Sequence, residues 1–439
     1  MAATVSAALR YVNGNLGQLL PERVILTAAR EVGHRWRRRK LGPARTVMLL
    51  VLQLLCGNAS LAEARALDGY RVCVAALAAA RQRLPLELLR RVNAWLLEQF
   101  ALNVIAADPS APPRVLLIDA ANYYLPDTAA LRRRYRQPRQ QKRRGNGRRR
   151  PDYPQLRTLD VFDLRSGLLL AQHDFASDRH ESPQLRHVLD LIGARAGDVV
   201  IFDRGLVSYA NLCLLQERGL HVVARLAKGL TARRGSRRRR RARLGKGDTL
   251  VRWEKPARRP RSCPISTGRW RQLPMQRDLR QVSITVAGPR KGSRCRHLTL
   301  ITSLLDPQTH PAAQIAAWYR RRWEIETDLR HLKSTLKLEF LRTQSVANVR
   351  RELLLRAIAY NLVRAAMLRA ATLRRVEPQR VSFADACRWL RLTQAAGVSL
   401  LELLINPQRI RRPRPRKLKY RGKNYRWLTT ALAPQRRVA

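Results

Sequence analysis

The chain has 439 residues, with 87 Lys or Arg against 31 Asp or Glu and a formal net charge of +56. Such an excess of one sign goes beyond what solubility requires and predicts a polyanionic partner, nucleic acid first. The six cysteines show neither CxxC spacing nor alternation with His, which argues against a zinc framework or disulfide scaffold and fits a reducing cytoplasm.

The length predicts about two to four structural units. The first 20 residues lack a basic stretch followed by an unbroken apolar core, so they do not read as a secretory signal. Residues 1–108 read as helical. After a basic cluster, His34 to Lys40, the run Thr46 to Cys56 (TVMLLVLQLLC) is too short to cross a bilayer and reads as a buried helix, so no membrane is expected. Ser60-Leu61-Ala62-Glu63 has the form of a capping box, which satisfies free amide groups at a helix start. Asp68-Gly69 ends that helix and Val72 to Arg83 forms the next, compatible with a helix-turn-helix.

Residues 109–227 change pattern. Arg114 to Ile118 predicts a short strand with Asp119 at its end, and the Arg-rich stretch Leu131 to Arg150 reads as an exposed loop tracking phosphates. Strands Leu156–Leu164 and Leu168–Phe175 form a hairpin through Arg165-Ser166-Gly167. A helix over about 181–192 leads to a buried strand, Asp198 to Phe202, that delivers Asp203; a helix from Tyr209 to Arg218 stops at Gly219 before strand His221–Leu226. This α/β order resembles a ribonuclease-H-like core, in which the first strand pairs antiparallel with the second and parallel with the fourth. Asp119 and Asp203 would then sit on neighbouring strands about 4.8 Å apart, close enough to share a divalent ion.

Residues 228–304 read as a β-rich insertion, residues 305–405 as the helices completing the core, and 406–439 as a basic tail that adds phosphate contacts. Within 305–405 lies WYRRRWEIETDLRHLKSTLK, Trp318 to Lys337. At about 100° per residue, Tyr319, Arg322, Glu326 and Lys333 fall within about 60° of one another on a single helix. Trp318, Ile325, Leu329, Leu332 and Leu336 form an apolar stripe beside them, while Glu324 and Asp328 face away. Of three acids, the geometry selects Glu326.

The spacing Tyr319-x2-Arg322-x3-Glu326-x6-Lys333 resembles the Tyr-Arg-Glu-Lys signature of the insertion-sequence-four family of bacterial transposases, a branch of the DDE superfamily. Asp203-Arg204-Gly205 resembles that family's second motif, with Leu206 where an aromatic residue is commoner. The resemblance implies cut-and-paste DNA transposition, with Asp119, Asp203 and Glu326 holding two Mg²⁺ ions, for which Mn²⁺ can substitute. Magnesium also suits the residues themselves, since the donors are hard oxygens with no Cys or His among them. Arg204, Tyr319, Arg322 and Lys333 are then DNA-binding residues. By the same resemblance an insertion tryptophan stacks on a flipped base; Trp253 matches best by its Val-x-Trp-x-Lys-Pro context, and Trp270 competes with it. The expected partners are terminal inverted repeats and target DNA, in a synaptic homodimer in the bacterial cytoplasm and nucleoid. Two rival readings are a non-catalytic basic nucleic-acid-binding protein and a DDE-type nuclease that cuts without joining.

Overall fold

The computed structural model describes residues 15–37, 39–67, 72–105, 113–136, 153–226, 238–286, 296–392 and 399–406. Asp68-Gly69, the Arg-rich stretch 137–150, the head of the second Arg run and the tail from 407 lie outside the described residues.

The N-terminal region is helical, as its composition predicts: α1 (Asn15–Leu19), α2 (Glu22–Glu31), α3 (Pro43–Leu55), α4 (Leu61–Leu67), α5 (Val74–Arg83) and α6 (Leu86–Ile105). Pro43 opens α3, where its missing N–H costs nothing, and nearly every residue of that helix is buried. The capping box forms at α4. The Glu63 N–H donates to Ser60 Oγ at 3.1 Å, and the Glu63 carboxylate accepts from the Ser60 N–H.

The part that follows is built on a mixed sheet of nine strands among the described residues, ordered β3-β2-β1-β4-β5-β9-β8-β7-β6. The first five are β1 (Val115–Tyr124), β2 (Gln155–Asp163), β3 (Leu169–Ala176), β4 (Val199–Phe202) and β5 (His221–Arg225). Strand β1 pairs antiparallel with β2 and parallel with β4. Between these strands lie α7 (Ala129–Arg134), α8 (Leu185–Leu191) and α9 (Tyr209–Glu217).

Two expectations change here. Strand β1 does not end at Asp119 but runs on to Tyr124, because β2 pairs with it along its whole length; only the parallel partner stops early, at Ile118↔Phe202. The Arg-rich stretch is not loop from its start, since Ala129–Arg134 is helical and buries Leu131, with Tyr135 buried just after it.

The remaining strands, β6 (Arg238–Gly245), β7 (Asp248–Glu254), β8 (Gln276–Val286) and β9 (Arg296–Thr302), follow one another as antiparallel neighbours. They extend the same sheet, because β9 pairs antiparallel with β5. Helix α10 (Thr267–Gln272) lies between β7 and β8. The extension is tied down by fully buried Arg280, whose Nε donates to Asp248 Oδ1 at 2.8 Å and whose Nη1 donates to the His310 carbonyl at 2.6 Å. That second bond fixes the start of α11 (Ala312–Arg321), which leads into the signature segment.

Helix α12 (Trp323–Arg330), α13 (Val346–Arg374) and α14 (Phe383–Arg391) complete the described chain. The 29-residue α13 is buried along most of its length, polar residues Glu352, Arg356, Asn361 and Arg364 included. It also seals the edge hairpin β2–β3. Asn361 accepts from the Leu169 N–H at 2.9 Å and donates to the Leu169 carbonyl at 3.0 Å, while Arg364 Nη2 donates to the Ser166 carbonyl at 2.6 Å. Gly167 in that turn has φ +68°, and a Cβ there would meet the Arg364 guanidinium at 1.9 Å. The turn therefore needs glycine on both counts.

Removing Arg280 strands a buried Asp248 and several carbonyls. Arg280→Ala is expected to destabilise the fold by about 3–5 kcal/mol, measured by chemical denaturation; a loss below about 1 kcal/mol, the size of an exposed pair, would contradict this anchoring role.

Candidate active site

Side chains alternate across the sheet, so sequence parity decides which residues face which helices. Leu116 and Ile118 pack toward α8 and α9, whereas Leu117, Ala121 and Tyr123 pack into the core shared with α12 and α13. Asp119 has the parity of the second set. On β4, Phe202 faces α9 and Ile201 faces the α13 core, so Asp203 falls on the same side as Asp119. The register Ile118↔Phe202 makes the two acids next neighbours across adjoining strands.

Arg322 joins the third acid to these two. Its Nη2 lies 3.4 Å from Glu326 Oε1 and its Nη1 lies 3.7 Å from Asp119 Oδ2. Burial on its own would lower the affinity of this guanidinium for its proton, but Tyr319, Asp203, Asp119 and Glu326 together raise it above its ordinary value. Burial pushes the Asp119 carboxyl up to about 6, partly offset by the Ala120 N–H at 2.8 Å and by Arg322. The structure thus gathers carboxylates from β1, from the end of β4 and from α12 around one buried cation.

The signature segment is not the single continuous helix that its angular pattern predicts. Helix α11 ends at Arg321, α12 begins at Trp323, and Arg322 at the junction caps both. A π-helical turn then covers His331–Thr335, and Lys337 takes a left-handed φ of +53°. The predicted apolar stripe still packs inward: Ile325, Leu329, Leu332 and Leu336 are buried, with Trp318 against them. Tyr319 is buried beneath the Arg322 guanidinium, 5.8 Å from its ring centre; burial pushes its hydroxyl up to about 12, against the lowering effect of the guanidinium. Lys333 comes from the π turn and sets its ammonium 5.4 Å from the centre of the Tyr123 ring, where its charge also acts on Asp160.

Glu324 turns away as expected, in a two-point pair with Arg321 at 2.8 and 3.1 Å. Asp328 also turns away from the acid cluster, but into the core rather than toward solvent. It lies 3.8 Å from Arg364 on α13, and burial pushes its carboxyl up to about 6. The long buried helix on that side is what the wheel could not include.

Arg204 is exposed in a short 3₁₀ turn directly after Asp203. The two tryptophans expected to meet a flipped base are placed differently. Trp253 and Trp270 are 7 % and 5 % exposed, and both set an edge against Tyr209. The Trp-x-Lys context has a structural cause, since Lys255 Nζ donates to the Trp270, Arg271 and Leu273 carbonyls at the end of α10. In this conformation neither indole offers an open face. Trp323 is 47 % exposed, with the Arg322 guanidinium 5.0 Å from its ring centre.

The sequence reading passed over Asp160. It lies directly opposite Asp119 in the β1–β2 register and is fully buried. Burial pushes its carboxyl up to about 7, against the Gln172 amide that donates to it at 2.8 Å. The signal was an acid at the centre of the apolar run LRTLDVF.

The donor set suits a hard divalent cation, being carboxylate oxygen throughout, and Asp203 Oδ1 is buried with no hydrogen-bond partner. Among the described residues no three His, Cys, Asp or Glu are close enough as placed to chelate an ion. Arg322 stands between two of the acids and balances their charge.

The family model for the transposase DDE domain matches residues 110–362, more than half of the chain, and the chain belongs to the DDE transposases. Its type is that of IS4: the chain is 28 % identical over 379 residues to the transposase InsG for insertion sequence element IS4 of Escherichia coli K12, covering 82 % of this chain and 80 % of that protein. Among solved structures, a piggyBac transposase synaptic complex with hairpin DNA is matched at 11 % identity over 88 % of this chain and 79 % of that one. Its TM-score is 0.35, too low to carry an argument. No described helix is long and apolar enough to cross a membrane.

His331, in the turn that carries Lys333, stacks on Phe383 at 4.2 Å, and burial lowers its pKa to about 4. Below the unfolded value of 6.5 the unfolded chain takes up this proton and the folded chain does not. Stability is therefore lost as pH falls from about 6.5 to about 4. Asp328 acts with the opposite sign over part of that window, so the measurement is the difference between the parent and His331→Asn. The parent should lose on the order of 3 kcal/mol more between pH 7 and pH 4; parallel stability profiles would contradict the assignment.

Proposed function

We propose that this transposase cuts and joins DNA at a single site formed by Asp119, Asp203 and Glu326, on a ribonuclease-H-like core made of the first five strands. The observation that carries this reading is the convergence of the three acids on the buried Arg322 guanidinium, within a chain of the DDE family. The strand order β3-β2-β1-β4-β5 and the β1 pairings support the core assignment.

The three acids would hold divalent ions, with Mg²⁺ the natural choice for oxygen donors. Bound there, the ions supply an activated oxygen nucleophile, a stabilised leaving oxygen and neutralised charge at phosphorus. The chain's own residues do the rest. Arg322, held between Tyr319 and Trp323, presents a guanidinium to a phosphate once its carboxylates are otherwise balanced. Lys333 and exposed Arg204 neutralise neighbouring phosphates. Water is the first nucleophile and frees a 3′-hydroxyl at the element end; that hydroxyl then attacks target DNA. Trp323, half-exposed beside Arg322, takes the place of Trp253 as the side chain that meets a displaced base.

The rest of the protein is read from this site outward. The helical region 1–108 grips terminal inverted repeats, and two copies bring two ends together. A purely binding role is disfavoured by the burial of Asp119 and Asp160, since a phosphate-binding surface has no use for desolvated acids.

With Mg²⁺ and a duplex carrying the element's own inverted repeat, purified protein should nick the repeat end and join it to target DNA. Asp119→Ala, Asp203→Ala and Glu326→Ala should each lower cutting by roughly 10³-fold or more while binding stays within about twofold. Glu324→Ala should keep cutting within about tenfold. Cutting by Glu326→Ala together with its loss in Glu324→Ala would overturn the assignment, and cutting without any joined product would establish the nuclease reading instead.

A further inference from the structure

Phe340 is 60 % exposed, yet the backbone that presents it is fixed from several directions. Tyr124 at the end of β1 donates to the Glu339 carbonyl at 3.1 Å and accepts from the Leu341 N–H at 2.9 Å, an isolated parallel bridge. Asn58, in the turn after α3, donates to the Lys337 and Phe340 carbonyls at 3.3 Å each. Buried Arg356 on α13 donates to the Phe340 carbonyl at 2.9 Å and to Leu338 as well. Its partner Glu352, 3.0 Å away, accepts from the Arg342 and Thr343 N–H groups at 3.2 Å.

A buried ion pair is thus spent on holding the segment from Leu338 to Thr343 rigid. What that segment offers to solvent is an aromatic ring. The Phe340 ring is stacked on Tyr124, with centroids 5.0 Å apart and planes 21° from parallel. Lys337 and Arg342 are exposed on either side, against one acid, Glu339. Beyond Arg342 opens a polar cavity of about 600 Å³ lined by Arg81, Arg342 and Arg351.

A rigid, half-covered ring between cations is the arrangement by which proteins stack an unpaired base and follow its phosphates. A second protein copy is a poorer fit: the ring is flanked by exposed Lys337 and Arg342, and stable protein contacts need on the order of 800 Å² per partner. We propose that Phe340, backed by Tyr124, is a stacking platform for an unpaired DNA base, with Lys337 and Arg342 on the flanking phosphates. Five residues of β1 separate Tyr124 from Asp119, about 16 Å, or about five base-pair steps of duplex. The platform therefore lies outside the acid cluster, at the end of β1 and on the strand parity opposite to Asp119. It rests on the reading of the chain as a DNA-acting enzyme.

The test uses the full chain without divalent ions, so that binding is read apart from cutting. The probes are a short labelled duplex and the same duplex with a gap of a few nucleotides. Phe340→Ala should weaken binding to the gapped probe by about tenfold, with Phe340→Trp retaining it and the intact duplex changing less than about twofold. Ultraviolet crosslinking should join a gap base to the peptide that carries residue 340. Equal loss on both probes, no loss on either, or a change only in self-association by sedimentation would overturn the platform. Because the acid cluster is intact in these variants, such a result would leave the proposed chemistry standing.

Discussion

The buried guanidinium of Arg322 is the constraint around which the acid cluster is arranged. Carboxylates on β1, after β4 and on α12 would repel one another if brought together in a desolvated pocket without a positive charge. Arg322 supplies that charge, at 3.4 and 3.7 Å from two of the acids and with Asp203 also raising its proton affinity. It stands at the junction of α11 and α12 with its own backbone still helical, at φ −49° and ψ −29°.

The surroundings can be read as support for that placement. The register of β1 with β2 and β4 sets the acids side by side, and the anchoring of Arg280 at His310 fixes where α11 starts. Helix α13 closes the sheet edge through Asn361 and Arg364 and also receives Asp328, so the one acid of α12 left at the site is Glu326. Stability is given up in the process. Asp119, Asp160 and Asp328 all have carboxyls raised by burial; the first belongs to the acid cluster and the second lies opposite it across the β1–β2 ladder. Carboxyls raised by burial in this way are expected where a pocket is built to act on charge.

Much of this was legible in the chain. The order of short apolar runs, read through its resemblance to a ribonuclease-H-like core, placed Asp119 and Asp203 on adjoining strands, and the angular pattern of the signature segment selected Glu326 over Glu324. The capping box at Ser60 and the hairpin at Ser166-Gly167 were local patterns with local causes. What escaped was set by tertiary contact. The break at Arg322 and the π turn at His331 leave no mark in a periodicity count. The extension of β1 to Tyr124 depended on β2. Asp160 looked like one acid in an apolar strand until its partner across the ladder was known. Trp253 matched a local pattern that the structure explains by a helix cap on α10 instead.

The central claim is that the three acids form one cation site whose charge Arg322 balances in the metal-free protein. The most direct measurement is a crystal structure of the protein with Mn²⁺, read by anomalous scattering. The expected result is a peak within coordination distance of Asp119, Asp203 and Glu326, with the Arg322 guanidinium withdrawn from Asp119 and Glu326. A fully active protein whose Mn²⁺ binds elsewhere, with Arg322 still seated between those two carboxylates, would contradict it.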